Sequence, residues 1–290
     1  MRTVRTIDDL RAVLAGPRRE GARIGLVPTM GSLHDGHLSL LRRAREESDV
    51  VVMSLFVNPT QFNEASDLAA YPRDEARDTA LATTAGVDIV FAPDTAEIYP
   101  VGFATTVHVG AITTTLEGAE RGAAHFDGVA TVVTKLLNIV QPDVAYFGQK
   151  DAQQAIVVQT FVRDLDIPVR IEVCPTVREP DGLAMSSRNV RLDPDARAQA
   201  AALNRALVAA GVLQAAGERH PGRILAAGRA ELDRAGITPE YFELVDAETL
   251  APVTVVNGRP LLAVLAARVG GVRLIDNALL PPTDTDHGDD

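Results

Sequence analysis

Apolar residues in the first 175 positions fall into short dense runs separated by longer stretches in which apolar and polar residues recur at helical spacing. The run Val50-Val51-Val52-Met53-Ser54-Leu55-Phe56 is almost continuously apolar, the pattern of a strand covered on both faces. Strands are predicted at Ile24–Pro28, Val50–Val57, Asp88–Phe91, Val144–Phe147 and Val169–Val173. Helices are predicted at Leu38–Glu47, Arg73–Ala85, Val129–Val140 and Ala152–Leu165. Regular alternation of the two predicts an α/β fold with a doubly wound (Rossmann-like) parallel sheet. Ligands of such sheets sit beyond the carboxyl ends of the strands, so the turns after Val27, Phe56 and Phe147 should share one region.

From about Val177 the texture changes. Two alanine-rich helices, Pro194–Ala216 and Pro221–Ala235, each carry proline near the start. Short strands at Tyr241–Val245, Leu261–Leu265 and Val272–Ile275 follow, the pattern of a smaller C-terminal α+β domain. The expected division is 1–176, 177–280 and an acidic tail at 281–290. Thr283 to Asp290 holds four aspartates and no Lys or Arg, so the tail is expected to be disordered.

Composition narrows the class. No apolar run approaches the roughly 20 residues that span a bilayer, which argues against a membrane partner. The opening residues Met1 to Asp9 lack an apolar segment and a cleavage site, and Cys174 is the single cysteine. Both fit a reducing, cytoplasmic setting. The formal charge of −11 repels nucleic-acid backbones, so no nucleic-acid partner is expected. Among 28 basic residues only Lys135 and Lys150 are lysine. Where arginine is the default cation, a lysine can be present for its compact ammonium.

The segment Pro28-Thr29-Met30-Gly31-Ser32-Leu33-His34-Asp35-Gly36-His37 lies between a predicted strand and a predicted helix. Glycines allow backbone approaches that a side chain would block, and a helix N-terminus is a seat for phosphate. His34 and His37 could donate to phosphoryl oxygens, where charge builds during transfer. Two other readings stand beside this one. The histidines could bind a metal, although no third Cys or His ligand accompanies them, or they could start a helix with no chemistry. A P-loop is excluded, because no Gly-Lys dipeptide occurs, and no Gly-x-Gly-x-x-Gly run occurs either.

Gly-His at such a turn suggests the nucleotidyltransferase and class I synthetase group. The whole segment is narrower and resembles the pantothenate synthetase (pantoate–β-alanine ligase) family. The likeness continues through Phe56-Val57-Asn58-Pro59-Thr60-Gln61-Phe62, Leu68-Ala69-Ala70-Tyr71-Pro72-Arg73, His125-Phe126-Asp127-Gly128-Val129, Phe147-Gly148-Gln149-Lys150-Asp151 and Asp181-Gly182-Leu183-Ala184-Met185-Ser186-Ser187-Arg188-Asn189. These blocks keep the family's order over residues 24–190.

The resemblance implies a two-step reaction: pantoate attacks the α-phosphorus of ATP, and β-alanine then attacks the pantoyl adenylate. It implies nucleotide contacts from Met30, Gly31, Ser32, Leu33, His34, Asp35, Gly36 and His37, and from Gly148, Gln149, Lys150 and Asp151. Val177 would lie near the adenine, and Met185, Ser186, Ser187 and Arg188 would close over the triphosphate. His34, His37 and Lys150 would act on the reacting phosphate, and Asp151 would meet Mg²⁺ through water. Gln61 and Gln154 would hold pantoate, Gln61 facing β-alanine as well. Met30, Phe62, Val132 and Val133 could pack on the gem-dimethyl group or be ordinary core. Without the resemblance, Gln153-Gln154 reads as a solvated helix face and Lys150–Asp151 as a surface pair. A homodimer is implied by the family alone.

The family's Arg-Pro-Gly-His stretch reads Arg121-Gly122-Ala123-Ala124-His125 here, one residue longer and without its proline. A phosphate contact by Arg121 is therefore not expected. His108, His220 and His287 are expected to be structural or exposed, and Lys135 to be structural. Two rival functions are a nucleotidyltransferase with another acceptor and a silent nucleotide-binding protein. The first leaves the Gln61 and Gln154 blocks unexplained, and the second leaves the histidines, Lys150 and the Ser-Ser-Arg loop unexplained.

Overall fold

A computed structural model describes residues 1–62, 68–69, 71–280 and 282. The tail expected at 281–290 lies outside the described residues except for Pro282, as does Ala70 of the Leu68–Arg73 block. By internal contacts the chain divides into one unit of Met1–Gln149 with Gln153–Pro175, and a second of Lys150–Ala152 with Thr176 onwards.

The first unit holds a six-stranded sheet of β1 (Arg2–Val4), β2 (Ile24–Thr29), β3 (Val50–Leu55), β4 (Ile89–Phe91), β5 (Val144–Gly148) and β6 (Arg170–Cys174). Their order is β1-β4-β3-β2-β5-β6, and every pairing is parallel. Alternate residues of the four central strands, β2 to β5, enter opposite cores. Leu26, Val52, Phe91 and Phe147 pack on α1 (Ile7–Arg19), α6 (Ala123–Val140) and α7 (Ala152–Asp164). Val27, Val51, Met53, Val90 and Tyr146 pack with residues of α2 (Asp35–Glu47) and α3 (Glu75–Thr84). Burial on both faces is why these strands read as unbroken apolar runs. Between α3 and α6 lie the short helices α4 (Thr95–Ile98) and α5 (Glu117–Arg121).

β1 and α1 are absent from the sequence expectations. β1 is three residues, two of them polar and exposed, and Gly16-Pro17 interrupts the pattern of α1 near its end. Thr6 caps α1 by accepting from the Asp9 amide at 3.1 Å. α2 begins at Asp35 rather than Leu38, and that shift changes the chemistry of the site.

In the second unit a three-stranded antiparallel sheet, β7 (Pro239–Asp246), β8 (Leu261–Val269) and β9 (Val272–Leu280), is ordered β7-β8-β9. β8 and β9 run further than predicted because Gly270 and Gly271, both at positive φ, close a two-residue hairpin directly between them. The single helix expected at Pro194–Ala216 is two, α8 (Pro194–Ala200) and α9 (Ala202–Ala215). The break lets α8 lie on β8 while α9 packs on β9 and on α10 (Pro221–Arg234). Among the described residues no helix is long and apolar enough to cross a membrane.

Cys174 ends β6, opposite Gly148, and is buried. Burial is the main force that pushes its thiol up to about 11. At pH 8 only about one part in 10³ is thiolate, the reactive form. Cys174 should therefore react with Ellman's reagent only after unfolding by guanidinium. Rapid stoichiometric labelling of the native protein would contradict this burial.

Candidate active site

β2, β3 and β4 lead away from the sheet centre in one direction, whereas β5 and β6 add on the other side of β2. The reversal between β2 and β5 is a topological switch point, where an open α/β sheet leaves a crevice. Leu26 pairs with Ala145, and the two strands end three residues later at Thr29 and Gly148. The glycine-histidine turn begins at that level.

The turn is held from below. Thr29 Oγ1 donates to Ser54 O at 2.7 Å. Gly31 (φ 85°) and Ser32 (φ 54°) are left-handed, which swings two successive amides to one side. Both meet Asp78 of α3: Ser32 N donates to Oδ2 and Leu33 N to Oδ1, each at 2.8 Å. Asp78 is 1% exposed. A Cβ at Gly31 would lie 2.8 Å from Asp78 Oδ2 and 2.9 Å from Leu55 Cδ1, so glycine is required on steric as well as conformational grounds. The Ser32 and Leu33 amides are thus engaged by a carboxylate, and the Leu33 side chain is core. Asp78 is missing from the sequence expectations. Its signal is a carboxylate on the buried stripe of α3, on the face that carries Ala82.

His34 is the N-cap of α2 and His37 its third residue. His34 Nδ1 accepts from Gly36 N at 3.2 Å, and His37 Nδ1 accepts from His34 N at 3.3 Å. A main-chain amide can only donate, so in both neutral rings the proton sits on Nε2. The rings stand 4.1 Å apart between centroids. The amides of His37 and Leu38 both donate to His34 O. The first-turn amides expected for phosphate are thus largely used within the cap itself. This follows from the earlier helix start: with Asp35 as first residue, His34 and His37 form a reciprocal capping box.

Beyond β3 the chain makes a 3₁₀ turn, Pro59–Gln61, fixed by buried Asn58. Asn58 Oδ1 accepts from Tyr99 OH at 2.8 Å and Thr60 N at 3.4 Å, while Nδ2 donates to Gly128 O at 3.1 Å. The main-chain partners fix which end of the amide is oxygen. Asn58 Nδ2 then donates to Gln61 Oε1 at 2.9 Å, so the oxygen end of the Gln61 amide is engaged. α6 approaches this turn so closely that a Cβ at Gly128 would lie 2.5 Å from Thr60 O. His125 Nδ1 lies 2.7 Å from Gln61 O and must donate to it, the opposite tautomer from His34 and His37.

Gln153 and Gln154 divide their labour. Gln153 is buried, accepts from Glu117 N at 3.0 Å and donates to Ile112 O and Thr115 O at 2.7 and 2.9 Å. Gln154, next in the helix, is partly exposed. Val132 and Val133 are core, whereas Met30 and Phe62 are partly exposed, Phe62 edge-on to Tyr71. Gly148 and Gln149 at the end of β5 are partly exposed, and Asp35 is exposed. Arg121 lies in α5 with its Nε 3.0 Å from Glu117 Oε2. Lys135 sits over the Phe103 ring at 4.7 Å, and exposed His108 faces Asp127 at 2.8 Å.

In the second unit, Lys150 Nζ lies 3.2 Å from Asp151 Oδ1, with 17% and 51% of their side chains exposed. Met185 N donates to Val177 O at 2.9 Å and Glu179 N to Leu183 O at 2.8 Å, so residues 177–185 form a small hairpin turned by Gly182 at φ 93°. Arg197 pairs with Asp181 and holds its carboxyl below the usual range. Ser186 begins the next turn: its hydroxyl accepts from Arg188 N at 3.2 Å, and its carbonyl accepts from Asn189 N at 3.0 Å. Ser187 is partly exposed and Arg188 exposed.

The pantoate-beta-alanine ligase family profile matches residues 2–279. The chain is 53% identical to pantothenate synthetase of Moorella thermoacetica over 285 residues, covering 98% of this chain and 100% of the relative. Identity to the Roseiflexus castenholzii pantothenate synthetase is 53%, covering 97% and 99%. Among solved structures, pantothenate synthetase from Thermus thermophilus superposes with a TM-score of 0.90 at 48% identity, covering 97% and 100%. The pantoate-beta-alanine ligase of Francisella tularensis, crystallised with beta-gamma ATP and beta-alanine, superposes with a TM-score of 0.78 at 34% identity, covering 96% and 97%. With its switch-point turn, its paired histidines and its match from end to end, the chain belongs to the pantoate–β-alanine ligase family.

Proposed function

We propose that this ATP-dependent ligase joins pantoate to β-alanine through a pantoyl adenylate, using the residues assembled above. In the first step a pantoate carboxylate oxygen forms a bond to the α-phosphorus, and the bond to the β-phosphate bridging oxygen breaks with its electrons leaving on pyrophosphate. In the second the β-alanine amine attacks the pantoyl carbonyl, AMP departs with the bonding pair, and the amine loses a proton. The observation that carries this reading is the tautomer of His34 and His37. Two Nε2–H donors, fixed before substrate arrives, suit phosphoryl oxygens that gain charge in the transition state. Gln61, its oxygen taken by Asn58, offers donors to a carboxylate, as pantoate and β-alanine require. Gln154 adds a second amide for pantoate.

Met30 to His37, Gly148, Gln149 and Val177 serve the nucleotide in this reading, and Met185, Ser186, Ser187 and Arg188 serve the triphosphate. Lys150 supplies positive charge as pyrophosphate separates. Asp151 fits Mg²⁺ that enters with ATP. Its carboxylate is half exposed, and among the described residues no group of three His, Cys, Asp or Glu could hold a metal. Mg²⁺ takes few carboxylates, keeps several waters and neutralises phosphate charge. A cytoplasmic homodimer completes the reading, on the strength of the family resemblance.

ATP–pyrophosphate exchange should require pantoate and Mg²⁺ but not β-alanine. Exchange driven by an unrelated acid, or none with any acid, would refute the assignment. His37→Ala should slow adenylation by about 10²–10³-fold, the scale for losing one fixed donor. An unchanged single-turnover rate in the folded variant would reduce His37 to a helix cap.

Asp78→Asn replaces one acceptor with a donor facing a main-chain N–H. It should raise the KM for ATP while leaving the KM for pantoate in place. Asp78→Ala, which strands two amides, should cost about 2–4 kcal/mol by urea unfolding. Wild-type stability and an unaltered KM for ATP in both variants would show that the clamp does not shape the turn.

A further inference from the structure

The strand β9 carries two consecutive buried polar residues, Asp276 and Asn277, in an otherwise apolar setting. By strand alternation Asp276 shares its face with Val272, Leu274 and Leu280, all members of the second unit's apolar cluster. Arg178 reaches Asp276 with both terminal guanidinium nitrogens, Nη1 and Nη2, at 2.7 and 3.0 Å. Asp276 Oδ1 also accepts from Asn277 N at 2.8 Å. Packing alone does not call for such a pair, since apolar residues of similar volume commonly serve stability as well or better.

The rest of the network indicates what the pair holds. The same guanidinium donates to Gly182 O at 3.0 Å and to Asn277 O at 3.3 Å. It therefore ties the hairpin that leads into Ser186–Arg188 to the strand position of Asn277. Asn277 Nδ2 in turn donates to Lys150 O at 3.0 Å, across 127 residues of sequence. Lys150 lies in a single 3₁₀ turn, Gln149–Asp151. Its ammonium pairs with half-exposed Asp151 and also lies within electrostatic reach of Asp276, contacts that attract the charge without fixing the backbone that carries this flexible four-carbon side chain. The Asn277 bond anchors the main chain from which that side chain springs.

We infer that Asn277 is a positioning residue for Lys150, acting through the Lys150 carbonyl, and that the buried Arg178–Asp276 pair braces Asn277 and the base of the Ser186–Arg188 loop together. The inference rests on the reading that Lys150 acts on the triphosphate during adenylation. A small loss of register at Lys150 moves the ammonium relative to the phosphate, and misplacement by about 1 Å costs up to about 10²-fold.

A double-mutant cycle tests it, read by pantoate-dependent ATP–pyrophosphate exchange in wild type, Asn277→Ala, Lys150→Ala and the double variant, with thermal unfolding as a check on folding. Asn277→Ala should lower exchange by about 10–100-fold when Lys150 is present. In the Lys150→Ala background it should lower exchange by less than about 2-fold. The KM for pantoate should stay at the wild-type value. Equal losses in both backgrounds would mean that Asn277 is merely structural and would overturn the inference. Full exchange in Asn277→Ala beside a crippled Lys150→Ala would overturn it too, while leaving the role of Lys150 intact. Full exchange in Lys150→Ala would remove that role and this inference with it. Should Asn277→Ala not fold, Asn277→Ser replaces it, since serine is polar but too short to span the 3.0 Å contact.

Discussion

The site depends on one constraint: a main-chain amide can donate but never accept. Where Gly36 N and His34 N point at imidazole nitrogens, they leave those nitrogens one state, and the proton of each neutral ring must occupy the other side. The reciprocal cap thus does two things. It satisfies orphan donors at the start of α2, and it fixes the tautomer of two neutral imidazoles. Protonating Nδ1 to make a cation would break the cap.

The same logic recurs with different chemistry at each anchor. Asp78 accepts from two successive amides and so gives the turn its left-handed shape; Gly31 is where that carboxylate comes too close for any Cβ. Asn58 is oriented by a main-chain donor and a main-chain acceptor, and passes that orientation to Gln61. Gln153 spends its amide on the main chain of residues 112–117, whereas Gln154 is left partly exposed. In each case a buried polar residue that need not touch substrate decides what its neighbour can do. Such groups are costly to leave unsatisfied, which makes them rigid supports.

Much of this was legible in the sequence, though unevenly. The strands of the parallel sheet were visible because burial on both faces writes an apolar run, and the turn was visible because strand, glycines, histidines and helix follow in order. The short polar β1 and the Gly-Pro-interrupted α1 lacked such a signature. Asp78 and Asn58 lie outside the reading of the site for another reason. A carboxylate in a helix or an amide in a turn looks like any solvated residue until the fold shows that it is buried and what it faces.

The sequence by itself determined the alternation of elements, the position of the glycine-histidine turn and the family, because each is written in contiguous residues with a fixed local period or order. Only the tertiary structure decided the proton positions on His34 and His37, the division between Gln153 and Gln154, and the bond from Asn277 to Lys150. The first turns on where α2 starts, and the others on which donor meets which acceptor across tens to more than a hundred residues of chain. Hydrogen bonding at about 3 Å is set by packing in space, and nothing in local periodicity carries that distance.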